Sequence, residues 1–370
     1  MSKQNAVIEE IRAMAAHTRV FLSMPYIQGV SPMCLDHAPD HSVASELSEG
    51  ITRRAGYFSL SEAGLSPIDH GGLYGDGVFE GIRVMHSRVI LLKEHIERWF
   101  RSADRLGLHF PYTREELAQI ILEVSRQALG DTTEAYLRPV LTRGMGYLGV
   151  SPFRCIAPTL YIIAASVLLY PRQQYEEGID IAIARHIRRN DVTHLDPNIK
   201  TCNYLNNILA HLETRERGVV ETLMLTNEGF LAEATTDNLF IVQEEKGIPT
   251  LIYPKAAYAL VGLTRNLVIS VAQNLGFATR ESSTLLPHDL IGPSREVFIT
   301  GTACGIMPIQ SVDGMPTASG NARPYSSRLR QAVQDAMLHT HGMGISVHSS
   351  EKELHTYMTS DFAVSVDNLF

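Results

Sequence analysis

Apolar side chains along this chain recur at helical and at strand spacing, in separate blocks. Residues 4–22 place Val7, Ile8, Ile11, Met14 and Ala15 three and four positions apart, which predicts an amphipathic helix. Residues 24–50 are rich in Pro, Gly, Ser and His without a period, which predicts a loop or arm. Short apolar pieces broken by glycine turns fill 57–89, and a helix is expected over 91–108, ending at Gly107. A second helix is expected over 113–128, because Thr113 followed by Glu116 forms a capping-box pattern. Strands are expected at 135–142, 159–165, 179–185 and 296–300, and a hairpin is expected on the turn Asn227-Glu228-Gly229. Further helices are expected over 204–217 and 264–275. The first of these should bury Leu205, Ile208, Leu209 and Leu212.

This mixture of strand clusters and helices predicts an α+β fold with two subdomains. The polar, proline-containing stretch 168–177 marks the boundary. The expected plan is an N-terminal extension (1–50), a small domain (51–167), an interdomain loop (168–176), a larger domain (177–340) and a C-terminal tail (341–370).

The 370 residues are 45% hydrophobic and 19% charged, as in an ordinary globular protein. Thirty-two basic against 40 acidic residues give a net charge of −8, and there is no long basic run. Nucleic acid is therefore not expected as a partner. The longest apolar run, 160–170, is too short for a bilayer span of about 20 residues, and the acidic N-terminus lacks an export signal. Four cysteines without a CxxC pair fit a reduced, cytoplasmic setting. His339, His341, His348 and His355 are spaced too irregularly for a metal site and read as a solvated tail, so no metal is expected.

Few residues stand out chemically. Lys200 precedes the helix expected from 204. By local pattern it is either a surface lysine at a helix start or a desolvated amine able to form a Schiff base. Glu233, between two apolar strands, either caps a turn or holds a cation such as a pyridinium nitrogen. Arg98 lies in EHIERW, where a solvated pairing with Glu94 is the plain reading. The Gly-Thr turns in GLTRN (262–266) and TGTAC (300–304) could each receive a phosphate. The segment 69–84, DHGGLYGDGVFEGIRV, carries glycines among Tyr74, Phe79 and Arg83, which lets backbone approach a ligand while alternate side chains line it.

In this order, YGDGVFEGIR, EHIERW, IKTCNYLNN, FLAEATTDNLFIV, GLTRN and TGTA resemble the class IV aminotransferases, in their branched-chain branch. The likeness covers about 53–335. It implies a two-domain fold-type IV enzyme, with a small α/β N-terminal domain and a larger strand-rich C-terminal domain, that uses pyridoxal 5'-phosphate. Lys200 would then be the Schiff-base lysine and proton shuttle, with Glu233 on the ring nitrogen and Tyr204 on the ring 3'-oxygen. Arg98, the backbone of Leu263 and Thr264, and Thr302 would receive the phosphate. Tyr136 with the Thr302 and Ala303 amides would bind the substrate α-carboxylate. Tyr74, Phe79, Leu148 and Val150 would wall an apolar side-chain pocket, and Arg138 would meet the distal carboxylate of glutamate. The resemblance implies nitrogen transfer between an L-branched-chain amino acid and 2-oxoglutarate by a homodimer or higher homo-oligomer, with no membrane partner. An (R)-amine or D-amino-acid transaminase, or an aminodeoxychorismate lyase, shares the fold. TRGMGYLGV lacks the RxH carboxylate trap expected of the D-specific branch.

Three departures are specific to this chain. KTCNY is one residue shorter than the KxGGNY form. Ala234, Thr235 and Thr236 stand where glycines are usual, and TACGIM replaces TAAEI.

Overall fold

The computed structural model describes residues 3–27, 30–32, 34–35, 46–48, 51–165, 170–317 and 323–360. Much of the expected arm 24–50, the first two residues of the expected interdomain loop and the tail beyond 360 lie outside the described residues. The chain divides into two compact units. One comprises Met1–Val167, Lys200–Asn203 and Gly344–Ala363, the other Leu168–Ile199, Tyr204–Met343 and Val364–Phe370.

The first unit is built on an antiparallel sheet. In spatial order its strands are Gly344–Ser346, Arg88–Ile90, Ile82–Met85, Ala135–Thr142, Thr159–Ala165, Arg19–Tyr26, Ile51–Ser59 and Glu46–Ser48, with Gly77–Phe79 also paired to Ala135–Thr142. The helix Arg114–Leu129 packs on the central strands through Leu117, Ile121, Leu122 and Val124. It starts at Thr113, whose capping box with Glu116 forms as the sequence predicts.

Two expectations about the chain ends are corrected here. The helix expected over 4–22 is Lys3–His17, and Arg19–Tyr26 is a strand locked between Thr159–Ala165 and Ile51–Ser59. Val20, Phe21, Leu22 and Met24 are buried on both faces of the sheet, and a strand buried on both faces loses the alternation that marks one in sequence. The presumed extension thus supplies an internal strand. The presumed tail likewise supplies the edge strand Gly344–Ser346 and the helix Glu351–Thr359, with Lys93 Nζ donating to the Ser360 carbonyl and Arg126 Nη2 to that of Val347 (2.9 Å).

The second unit carries a mixed sheet. Its order is Leu231–Ala234, Glu221–Leu225, Ile179–Arg188, Gly305–Val312, Arg295–Gly301, Asn238–Glu245, Ile248–Pro254 and Ala278–Ser282. Ile181, Leu223, Leu239, Ile299, Met307 and Ile309 fill its core. The hairpin on Asn227-Glu228-Gly229 joins the first two of these strands, as expected. Residues 172–177 of the expected interdomain stretch form a short helix, Arg172–Glu177. The helix Leu205–Thr214 does not bury the face expected of it. Asn207, Ala210 and Thr214 face inward, with Ala210 packed on Ala184 and Met224, while Leu205 and Ile208 are 61% and 53% exposed. The small side of the helix seats closely on the sheet, and its larger apolar side chains are left outside.

Candidate active site

In the first unit, the strand Gly77–Phe79 is flanked by Ala135–Thr142 on one side and by the segment Lys200–Asn203 on the other. Phe79 N donates to the Lys200 carbonyl (2.9 Å), Cys202 N and Thr201 Oγ1 donate to that of Gly77 (2.7 and 3.0 Å), and Lys200 N donates to Ser102 Oγ (3.2 Å). These bonds fix the backbone of the half-buried Lys200. Its Nζ lies 4.6 Å from the centroid of the Phe79 ring, and the Arg138 guanidinium carbon lies 4.6 Å from the same ring. Two cations thus share one aromatic wall. Arg138 and Tyr136 sit two positions apart on one strand and so share a face. Arg138 Nη2 donates to the Tyr136 hydroxyl (3.3 Å), and the buried Arg138 Nε has no hydrogen-bond partner among the described residues. A Cβ at Gly81 would fall 2.1 Å from the Tyr136 hydroxyl, so only glycine leaves that phenol its place.

Arg98 has a different setting from the one the sequence suggests. Its Nε and Nη2 donate to the two oxygens of Glu80 (2.8 and 2.7 Å), and His95 Nδ1 lies 2.8 Å from Glu80 Oε2, all three side chains being buried. Two of the three guanidinium nitrogens are thus engaged by Glu80, a partner that the local spacing around Glu94 did not suggest. Burial pushes the Glu80 carboxyl upward, but the charge and hydrogen bonds of Arg98, aided by His95, outweigh this and hold it well below the carboxylate range. Burial lowers the His95 value against the opposing pull of Glu80, so the ring is neutral at pH 7. An ionised carboxylate only accepts, which puts the proton of His95 on Nδ1.

Leu148 and Val150 depart from their expected place. They are 66% and 80% exposed, so within one chain they do not wall a buried pocket with Phe79. Their loop is fastened at its base instead, where Gly149 N donates to the Tyr74 hydroxyl (2.8 Å) and the His70 ring bonds to the Tyr147 carbonyl (3.1 Å).

In the second unit, Glu233 is the last residue but one of the strand Leu231–Ala234 and is almost fully buried. Arg189 Nε donates to its Oε1 (2.8 Å), Asn238 Nδ2 donates to its Oε2 (3.1 Å), and the Leu260 N–H reaches both oxygens (3.2 and 3.1 Å). The carboxylate is held in one orientation, as a group facing a charged ligand atom must be. Leu263 and Thr264 open the helix Leu263–Asn274, whose N-cap, Gly262, has no capping side chain. Both residues are buried, as is Asn266, whose Nδ2 has no partner among the described residues. A buried, uncapped helix start suits an anion. Thr302 and Ala303 occupy the turn after Arg295–Gly301, and Tyr204 precedes the helix Leu205–Thr214.

Sequence reasoning missed Glu80, Arg189, Asp237 and Asn238. Glu80 lies inside the glycine-rich segment and could have been flagged there. Arg189 is far from Glu233 in sequence, and nothing local marks the pair.

Residues 77–312, more than half of the chain, match the family Amino-transferase class IV. The chain belongs to the class IV aminotransferases. A relative in Methanocaldococcus jannaschii is 39% identical over 274 residues, covering 74% of this chain and 91% of its own length. The branched-chain-amino-acid aminotransferase of Escherichia coli is 31% identical over 281 residues, 73% of this chain and 87% of that one. The crystal structure of the T.th. branched-chain amino acid aminotransferase with pyridoxamine 5'-phosphate superimposes with a TM-score of 0.72 at 29% identity, over 79% of this chain and 96% of that one. The fold is fold-type IV, and the chain is an aminotransferase. No helix among the described residues is long and apolar enough to cross a membrane.

Proposed function

We propose that this aminotransferase moves nitrogen between an L-branched-chain amino acid and 2-oxoglutarate, using pyridoxal 5'-phosphate. The observation that carries this reading is the Phe79 ring, with Lys200 Nζ and the Arg138 guanidinium each 4.6 Å away. An aliphatic side chain can lie along the ring, and the unpaired Arg138 Nε offers the distal carboxylate of glutamate a partner. The amine donors named in the relatives and the family match support the same assignment.

The residues suit the cofactor chemically. A lysine amine, an oriented buried carboxylate and a buried uncapped helix start fit an aldehyde, a ring nitrogen and a phosphate respectively. When bound, pyridoxal phosphate supplies an electron sink that makes the substrate α-proton labile. Lys200 would hold it covalently, and its free amine would carry the proton at the substrate α-carbon. Glu233, steadied by Arg189 and Asn238, keeps the ring nitrogen protonated. Tyr136 and the amides of Thr302 and Ala303 orient the α-carboxylate. Each methylene of a branched side chain placed against apolar walls gains about 0.8 kcal/mol, which favours leucine over alanine. The exposed Tyr147, Leu148, Val150 and Phe153 support assembly as a homodimer or larger homo-oligomer, because a monomer seldom leaves such a cluster in water.

A donor screen with 2-oxoglutarate tests the reading. L-Leucine should be the best donor among L-leucine, D-alanine and an (R)-aryl amine. Preference for D-alanine or the (R)-amine would overturn it.

A further inference from the structure

Two of the three departures, Ala234-Thr235-Thr236 and TACGIM, meet in one hydrogen-bonded network of the second unit. Cys304, fully buried, donates its S–H to Asp237 Oδ1 (3.2 Å). The Thr236 hydroxyl lies 2.8 Å from Asp237 Oδ2 and 2.9 Å from Glu221 Oε2, spanning two buried carboxylates. Glu221 Oε1 takes the Thr235 hydroxyl and the Thr222 N–H (2.7 Å). The Ala234 N–H closes the intervening turn onto the Asp237 carbonyl (2.8 Å). A Cβ at Gly301 would fall 2.0 Å from Asp237 Oδ1, so the carboxylate packs directly over the Gly301 backbone. The network therefore ties the turn that follows Glu233 to the turn that begins at Gly301. Burial, then the charge of Asp237, holds the Cys304 thiol far above its ordinary value, so it remains a donor at working pH.

We propose that Cys304 is a positioning residue: through Asp237 it fixes the Gly301–Ala303 turn, whose N–H groups meet phosphate and substrate carboxylate, against the strand that carries Glu233. This rests on the function proposed above. Thr235 and Thr236, where glycines are usual, provide the hydroxyls that hold Asp237 and Glu221 in place for the thiol. The substitution of cysteine into the turn and of threonines into the loop thus form one device.

The test compares Cys304→Ser, which keeps a donor, with Cys304→Val, which is apolar, slightly larger and has no donor, in the holoenzyme. The Kd for pyridoxal phosphate, the KM for 2-oxoglutarate, kcat and Tm are measured for each. Losing one hydrogen bond's worth of positioning should raise Kd and KM about fivefold in the valine variant, with kcat little changed, while serine stays near wild type. Should the valine variant misfold, Cys304→Ala takes its place with the same expectation. If the variant without a donor binds cofactor and oxo acid as wild type does, or if serine is as impaired as it is, the thiol only fills space and the proposal falls. Wild-type protein that fails to bind pyridoxal phosphate would instead refute the underlying function, before any variant is compared.

Discussion

Arg98 and Glu80 form a buried, two-pronged ion pair, with Nε and Nη2 each donating to one carboxylate oxygen at 2.8 and 2.7 Å. Removing Arg98 takes the counter-charge from the buried Glu80 carboxylate and leaves it the His95 ring, at a cost of about 3–5 kcal/mol. Arg98→Ala should therefore lose stability in urea titration of the cofactor-free protein as well as cofactor affinity. An unchanged unfolding midpoint would mean that Arg98 serves the phosphate alone.

The same cluster predicts an acid limb in two steps. The folded values of His95 and Glu80 are both depressed, so each contributes stability that is complete above its unfolded value and lost as pH falls below it. Loss should begin below about pH 6.5 from His95 and steepen below about 4.3 from Glu80. His95→Gln, which keeps a donor for Glu80 but does not titrate, should remove the upper step in urea midpoints measured across pH.

Truncation should behave as the loss of an internal strand. Deleting residues 1–26 removes Arg19–Tyr26 from between two neighbours and should give insoluble protein. Phe21→Ala, at a buried position, should cost about 3–5 kcal/mol. Deleting 1–17 takes away only the helix Lys3–His17, whose Val7, Ile8 and Ile11 are exposed, and should leave the melting temperature nearly unchanged by calorimetry.

Arg138 should discriminate between substrates. Arg138→Met should lower kcat/KM for glutamate about tenfold or more, as loss of a charge-assisted contact implies, and leave leucine much less affected. Equal losses for both donors would make Arg138 a support for Phe79 and Tyr136.

Legibility in the sequence followed locality. The helix Arg114–Leu129 was readable because its capping box and its apolar period agree over a short stretch. The strands Ala135–Thr142 and Thr159–Ala165 were readable as short, mostly apolar stretches of strand length. Arg19–Tyr26 was not, because a strand buried on both faces continues the apolar run of the preceding helix. The face of Leu205–Thr214 was misread because helical spacing shows that an apolar stripe exists, and only packing shows whether Ala210 or Leu205 meets the sheet. At the site, Lys200 and Glu233 stood out through the motifs around them. Glu233's partner Arg189 and Cys304's partner Asp237 come from distant segments joined by sheet topology, and spacing along the chain carries no trace of such pairs.

The role proposed for Lys200, covalent anchor of the cofactor, is tested most directly by locating the attachment. Protein saturated with pyridoxal phosphate is reduced with borohydride, digested and mapped by mass spectrometry. A single phosphopyridoxyl adduct is expected on Lys200, absent from Lys200→Ala. An adduct on any other lysine, or no stable adduct in protein that has bound the cofactor, would contradict it.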